Sequence, residues 1–92
     1  MRNKKETAKS LNPEFSELIN HLPIVEVLGD RRLIIENHRG IRGYSKESIC
    51  VCTAKNNILI KGSSLEIAVM SKHKLAIIGC IQSIHFLSGG MT

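Results

Sequence analysis

Between Glu36 and Gly40 the chain sets a carboxylate, an amide, an imidazole and a guanidinium within five consecutive residues. An imidazole beside a carboxylate is raw material for proton transfer. The same residues also suit a tight turn, because asparagine and glycine tolerate the positive φ that a corner requires. The cluster therefore reads either as a catalytic group or as a turn on a binding domain. The flanks, "RLIIEN" before it and "IRGYSKESICVCT" after it, are apolar runs of strand character.

The other chemistry-bearing residues give little support to catalysis. Cys50 and Cys52 lie two apart in a strand-like run, so their side chains share one face while Ile49 and Val51 take the other. A C-x-C pair supplies two zinc ligands at most, and Cys80, His21, His38, His73 and His85 show no spacing that completes a tetrahedral set. Half-buried packing thiols, reduced and metal-free, are the expectation. A disulfide between extended i and i+2 residues strains the usual bridging distance. His85 alternates with Ile84 and Phe86 as a surface strand residue, and His73 sits between lysines in a turn. The chain carries no phosphate-binding glycine loop, no H-E-x-x-H and no G-x-S-x-G. A non-enzymatic protein without cofactor or metal is expected.

The elements that must position the cluster are mostly strands. Asn12-Pro13-Glu14 resembles a helix start, with an amide N-cap, proline at the first position and an acid at the positive dipole end. Phe15, Leu18, Ile19 and Leu22 follow at i, i+3, i+4 and i+7, one apolar stripe that Pro23 ends. Such a helix, residues 12–22, is too short to stand alone and must pack on the chain's own sheet, a second copy or another partner. From Ile24 the period becomes alternating. "IVEVL" and "RRLIIEN" flank Gly29-Asp30, which predicts a two-residue hairpin link with glycine first.

Further strands are expected at 41–44, 48–53, 58–61, 65–70, 75–79 and 80–86, with turns at 45–47, 54–57, 62–64 and 71–74. Ile81 and Ile84 have an odd separation, which predicts a bulge or bend near Gln82-Ser83. "ILIKGSSLEI" and "LAIIGCIQSI" share an outline that two similar hairpins would explain. The reading is a mainly β fold: a short N-terminal helix, then a seven- to eight-stranded antiparallel meander curled into a small sandwich or barrel-like roll. Its parts are a basic flexible tail (1–11), an amphipathic helix (12–22), a β domain (23–87) and a flexible C-terminus (88–92).

Composition bounds the function. Ninety-two residues, 42% hydrophobic and 23% charged, suit one small soluble domain, and no apolar run reaches the ~20 residues of a membrane span. The first residues make no secretory signal, and three cysteines, an odd number, suit a reducing compartment. A cytoplasmic protein is expected. Of the net charge of +5, residues 1–12 supply +3, so the body is nearly neutral. No nucleic-acid role follows, because Phe15, Tyr44 and Phe86 are too few for stacking and the predicted helix carries no lysine or arginine. The basic tail and the helix offer an alternative, a peripheral module on an anionic membrane surface, although Glu14 and Glu17 on the helix weigh against it.

The succession "ENHRGI", a Tyr-Ser turn, an alternating strand ending in threonine and the "L-I-x-G-x-x-L-x-I" outline resembles the YabP/YqfC family of bacterial sporulation proteins, more closely its YqfC branch. The resemblance covers about residues 22–87 and departs from the family at "CVC", where alternating polar residues are expected. It implies a small protein of the mother cell, needed for spore maturation, that acts with a membrane-embedded companion at the forespore membrane. It brings no catalytic residue. On this reading Glu36, Asn37, His38, Arg39, Gly40 and Tyr44 bind a protein partner, Arg39 foremost, and a second copy of the chain is a further candidate partner.

Overall fold

The computed structural model describes residues 22–88, and these form six antiparallel strands. They are β1 (Ile24–Leu28), β2 (Arg32–Glu36), β3 (His38–Tyr44), β4 (Ser48–Thr53), β5 (Asn57–Met70) and β6 (Lys74–Leu87), in the sheet order β1-β2-β6-β5-β4-β3. The expected basic tail, and the helix apart from Leu22, lie outside the described residues, as does the C-terminus beyond Ser88. β1 and β2 are a hairpin because valine alternates with polar or outward residues on one strand, and leucine and isoleucine do so on the other. Gly29 adopts a φ of 59° and the Arg31 N–H donates to the Leu28 carbonyl at 3.3 Å, closing a turn around Gly29-Asp30. Pairing resumes only at Leu28 with Arg32, so the link has three residues, not the expected two.

The strand count is six, not seven or eight, because β5 and β6 each run for fourteen residues through segments that the sequence marks as breaks. Gly62-Ser63-Ser64 and Gly79-Cys80 are bends inside paired strands. Glycine makes that possible. A Cβ on Gly62 would overlap the Cys80 carbonyl oxygen, and one on Gly79, whose φ is +135°, would meet the Ser64 carbonyl oxygen at 2.6 Å. The two echoing segments are thus partners in one bent hairpin, not two separate hairpins. The expected irregularity near Gln82 is present: Lys61 faces Ser83 and Gly62 faces Ile81, leaving Gln82 as the extra residue.

The β1–β2 and β3–β4 turns fold over the bend and take its spare donors. Gly62 and Leu65 N–H groups donate to the Glu47 and Lys46 carbonyls at 3.0 and 2.9 Å, and Gly79 and Ile81 donate to Arg31 and Asp30 at 3.1 and 2.8 Å. One fully buried cluster then forms from Leu33 and Ile35 of β2, Ile49 and Val51 of β4, Ile58, Ile60 and Leu65 of β5, and Leu75 and Ile77 of β6. These residues come from both sides of the bend, so the sheet curls until its halves cover each other. It does not close, since β1 and β3 at its ends do not pair. Each buried leucine or isoleucine contributes about 1.5–3 kcal/mol. The exposed Asp30–Arg31 ion pair, at 3.7 Å, belongs to a class worth at most about 1 kcal/mol. Burial therefore decides the stability of this fold.

The pairing is antiparallel throughout, but the chain is not a simple meander. β2 and β3 are consecutive in sequence and lie in different halves of the bent sheet, while β6 returns to pair with β2. The residue that carries the chain from one half to the other is Asn37.

Candidate functional site: the Asn37 corner and the β3 edge

Asn37 has a φ of 67°, a value that asparagine tolerates better than most residues with a side chain. Its N–H donates to the His73 carbonyl at 2.8 Å and its side-chain amide donates to the Leu22 carbonyl at 2.9 Å. The corner is thereby tied to the β5–β6 turn and to the segment entering β1. The expectation of a turn that leaves the sheet at Asn37 and starts the next strand at Ile41 is not met. Asn37 is a single-residue corner, and His38, Arg39 and Gly40 already belong to β3.

His38 is the main correction to the sequence reading. Grouped with an outward polar tip, it is instead buried, 6% exposed. Its ring bridges two backbone groups: the Gly40 N–H donates to Nδ1 at 2.9 Å, and Nε2 lies 2.9 Å from the Ser71 carbonyl oxygen. A carbonyl only accepts, so the partners assign the Nε2–H tautomer, with Nδ1 as acceptor. Both ring nitrogens are occupied by structure. His38 pins the start of β3 to the end of β5.

Arg39 next to it is exposed, and so is Glu36 at the end of β2, where it faces Lys74 across the strands. The two do not form the ion pair that their spacing suggests; the ion pair among the described residues joins Asp30 to Arg31. Gly40 has a φ of +117° with open space where a Cβ would point. β3 carries two extra residues relative to β4, one between His38 and Ile41 and one between Ile41 and Gly43. Such bulges are common on edge strands, which they twist away from unwanted pairing.

Tyr44 is 55% exposed and faces Ile49 at the far end of β3. Glu36, Arg39 and Tyr44 are thus strung along a corner and an edge, not gathered in a pocket, while Asn37 and Gly40 shape the backbone and His38 anchors it. Arg42 is also exposed on this edge, and the sequence reading omits it. Its signal was present as a charged residue inside "IRGY", but two unforeseen bulges altered the alternation by which it is judged.

Cys50 and Cys52 share one side of β4, facing Leu59 and Asn57, and are half-buried free thiols, as is Cys80. The Arg31 guanidinium donates to the Cys80 sulfur at 3.3 Å. No group of three or more His, Cys, Asp or Glu capable of holding a metal ion occurs among the described residues. Exposed His85 lies 3.0 Å from the Ser83 hydroxyl, and neither touches the corner.

No curated protein and no solved structure matches the chain. The family model described as "YabP family" matches residues 21–92, the whole of the bent sheet together with its corner. The chain belongs to the YabP family and is, on that footing, a sporulation-related protein.

Proposed function

We propose that the protein is a non-enzymatic adaptor or structural module of spore maturation, of the YqfC type, that acts in the mother cell by binding a membrane-embedded companion through the Asn37 corner and the β3 edge. The observation that carries this reading is the contrast between Arg39 and its neighbours. His38 and Asn37 fix the backbone on either side of the corner through bonds to Ser71, Gly40, His73 and Leu22. Arg39 alone of the central three points into solvent, held by a rigid frame with no ion-pair partner among the described residues. Binding there orders the arginine side chain but not the backbone beneath it, and the planar guanidinium suits a carboxylate or carbonyl on another protein.

The test separates contact from folding. Arg39→Ala removes an exposed side chain and leaves stability within about 0.5 kcal/mol. Spore formation with this variant should fall while the protein stays folded and abundant. A pull-down from sporulating cells should recover a membrane protein with the natural chain and lose it with Arg39→Ala. Normal sporulation with Arg39→Ala removes that residue from the interface. Normal sporulation after deletion of the gene overturns the assignment to spore maturation.

A further inference from the structure

Four strand edges of the bent sheet have no neighbour among the described residues, and three are guarded. β3 carries two bulges with Arg39 and Arg42; β1 is five residues long, follows Pro23 and carries Glu26; the second half of β5 has Glu66 and an extra residue at Ala68. The fourth is the second half of β6. β2 flanks β6 only from Lys74 to Ile78, and the β1–β2 turn reaches it as far as Ile81. Beyond that, "IQSIHFL" presents an edge without a single formal charge. Proteins cover or charge such edges, because an unguarded one recruits stray strands. Core-facing side chains of β1 and β6 are also left in the open: Val27, opposite buried Leu33, is 46% exposed, and Phe86, opposite buried Ile58, is 58% exposed.

We propose that residues 12–21 of the same chain cover this side, laying Phe15, Leu18 and Ile19 along β1 and against Val27 and Phe86. The chain enters β1 at this place: Leu22, the last member of the apolar stripe, is half-buried, and its carbonyl is held by the Asn37 amide. A helix over 12–22 is about 16 Å long, and a five-residue strand such as β1 spans ~17 Å, so the stripe matches the edge that it would follow. The opposite rim, which carries Tyr44, lies on the side where the His38–Ser71 bond already joins β3 to β5. A segment tethered at Leu22 thus begins at β1, in the half of the sheet where β2 flanks β6, whose continuation is the uncharged edge.

A double-mutant cycle in the full chain tests this. Leu18→Ala and Phe86→Ala are each made alone and together, and unfolding by urea is followed at several protein concentrations. Contact requires the combined change in unfolding equilibrium constant to fall short of the product of the single changes by at least about twofold, independent of concentration. Phe86 is exposed enough that its variant retains the core. Leu18→Ala with Tyr44→Ala is the control pair and should multiply simply. Simple multiplication for Leu18 with Phe86, or coupling of Leu18 to Tyr44 instead, overturns the placement. Coupling that strengthens with protein concentration also overturns it, because the covering segment then comes from a second copy.

Discussion

Three glycines offer a graded test of the bent-sheet geometry. Gly43 has neither a φ in the left-handed region nor any atom near its would-be Cβ; Gly40 has a φ of +117° and open space; Gly79 has a φ of +135° and would set a Cβ 2.6 Å from the Ser64 carbonyl oxygen and 2.9 Å from Leu65 Cα. Alanine at Gly43 should therefore shift stability by no more than about 0.5 kcal/mol. At Gly40 it incurs backbone strain alone, about 1–3 kcal/mol. At Gly79 it adds an overlap against backbone, which cannot swing aside as a side chain would, and overpacking of that kind costs a further ~1–3 kcal/mol.

The sum at Gly79, about 2–6 kcal/mol, is a large fraction of the ~5–15 kcal/mol by which native proteins are stable at all. The assay is equilibrium urea unfolding, with the midpoint compared at constant slope. The expected order of midpoints is Gly43→Ala near the natural chain, Gly40→Ala below it, and Gly79→Ala lowest or unfolded without denaturant. Gly79→Ala within 0.5 kcal/mol of the natural chain would refute the close crossing of β5 and β6. Equal losses at Gly40 and Gly79 would refute the separation of strain from overlap.

Replacing His38 by phenylalanine keeps an aromatic ring but orphans the Gly40 N–H and the Ser71 carbonyl, so a loss of about 1–3 kcal/mol in urea unfolding is expected; a loss under 0.5 kcal/mol would mean that the imidazole pins nothing. Asn37→Val forces a β-branched residue to a φ of 67° and removes the bond to Leu22, and should cost more than Asn37→Gly, which removes the bond alone; the reverse order in melting temperature would contradict the corner. Glu36→Gln should leave stability unchanged within about 0.5 kcal/mol, since no ion pair is lost among the described residues. Titration of the denatured protein with a thiol reagent should count three reduced cysteines, and elemental analysis of protein purified without added metal should find no stoichiometric zinc; either a lower thiol count or bound zinc would reopen the reading of Cys50 and Cys52. Vesicles rich in anionic lipid should leave the purified protein in the supernatant, and co-sedimentation would favour the membrane-surface alternative over the protein partner.

What was legible in the sequence follows from the range of each signal. Alternation is local, so the separation of Ile49 and Val51 from Cys50 and Cys52 in β4 is evident from the residues themselves, and so is the irregularity at Gln82, whereas the unbroken run Leu33-Ile34-Ile35 does not mark which face of β2 is buried. Gly62-Ser63-Ser64 and Gly79 look locally like chain reversals, and only the crossing partner strand turns them into bends. The same limit applies to Glu36–Gly40. Asn37 is recognisably a corner, but whether the next strand returns beside β2 or crosses to the other half depends on where β6 goes, some forty residues later. His38 was misplaced for a related reason: its partner Ser71 lies 33 residues away, and a polar residue between an asparagine and an arginine carries no local mark of burial.

That misplacement sharpens the candidate interface. Four polar residues and a glycine presented together on a turn would share the binding energy among all of them. Here the cluster divides into residues that hold the backbone and residues that face outward, and the division follows the hydrogen bonds: Asn37 and His38 are committed to the fold, whereas Glu36, Arg39, Arg42 and Tyr44 are free of side-chain hydrogen bonds among the described residues and exposed. Variants of the first pair should lower stability and, through it, abundance. Variants of the second set should act, if the interface is as proposed, without changing either. A sporulation defect from His38→Phe that is rescued by raising expression, beside one from Arg39→Ala that is not, is the pattern that this division requires.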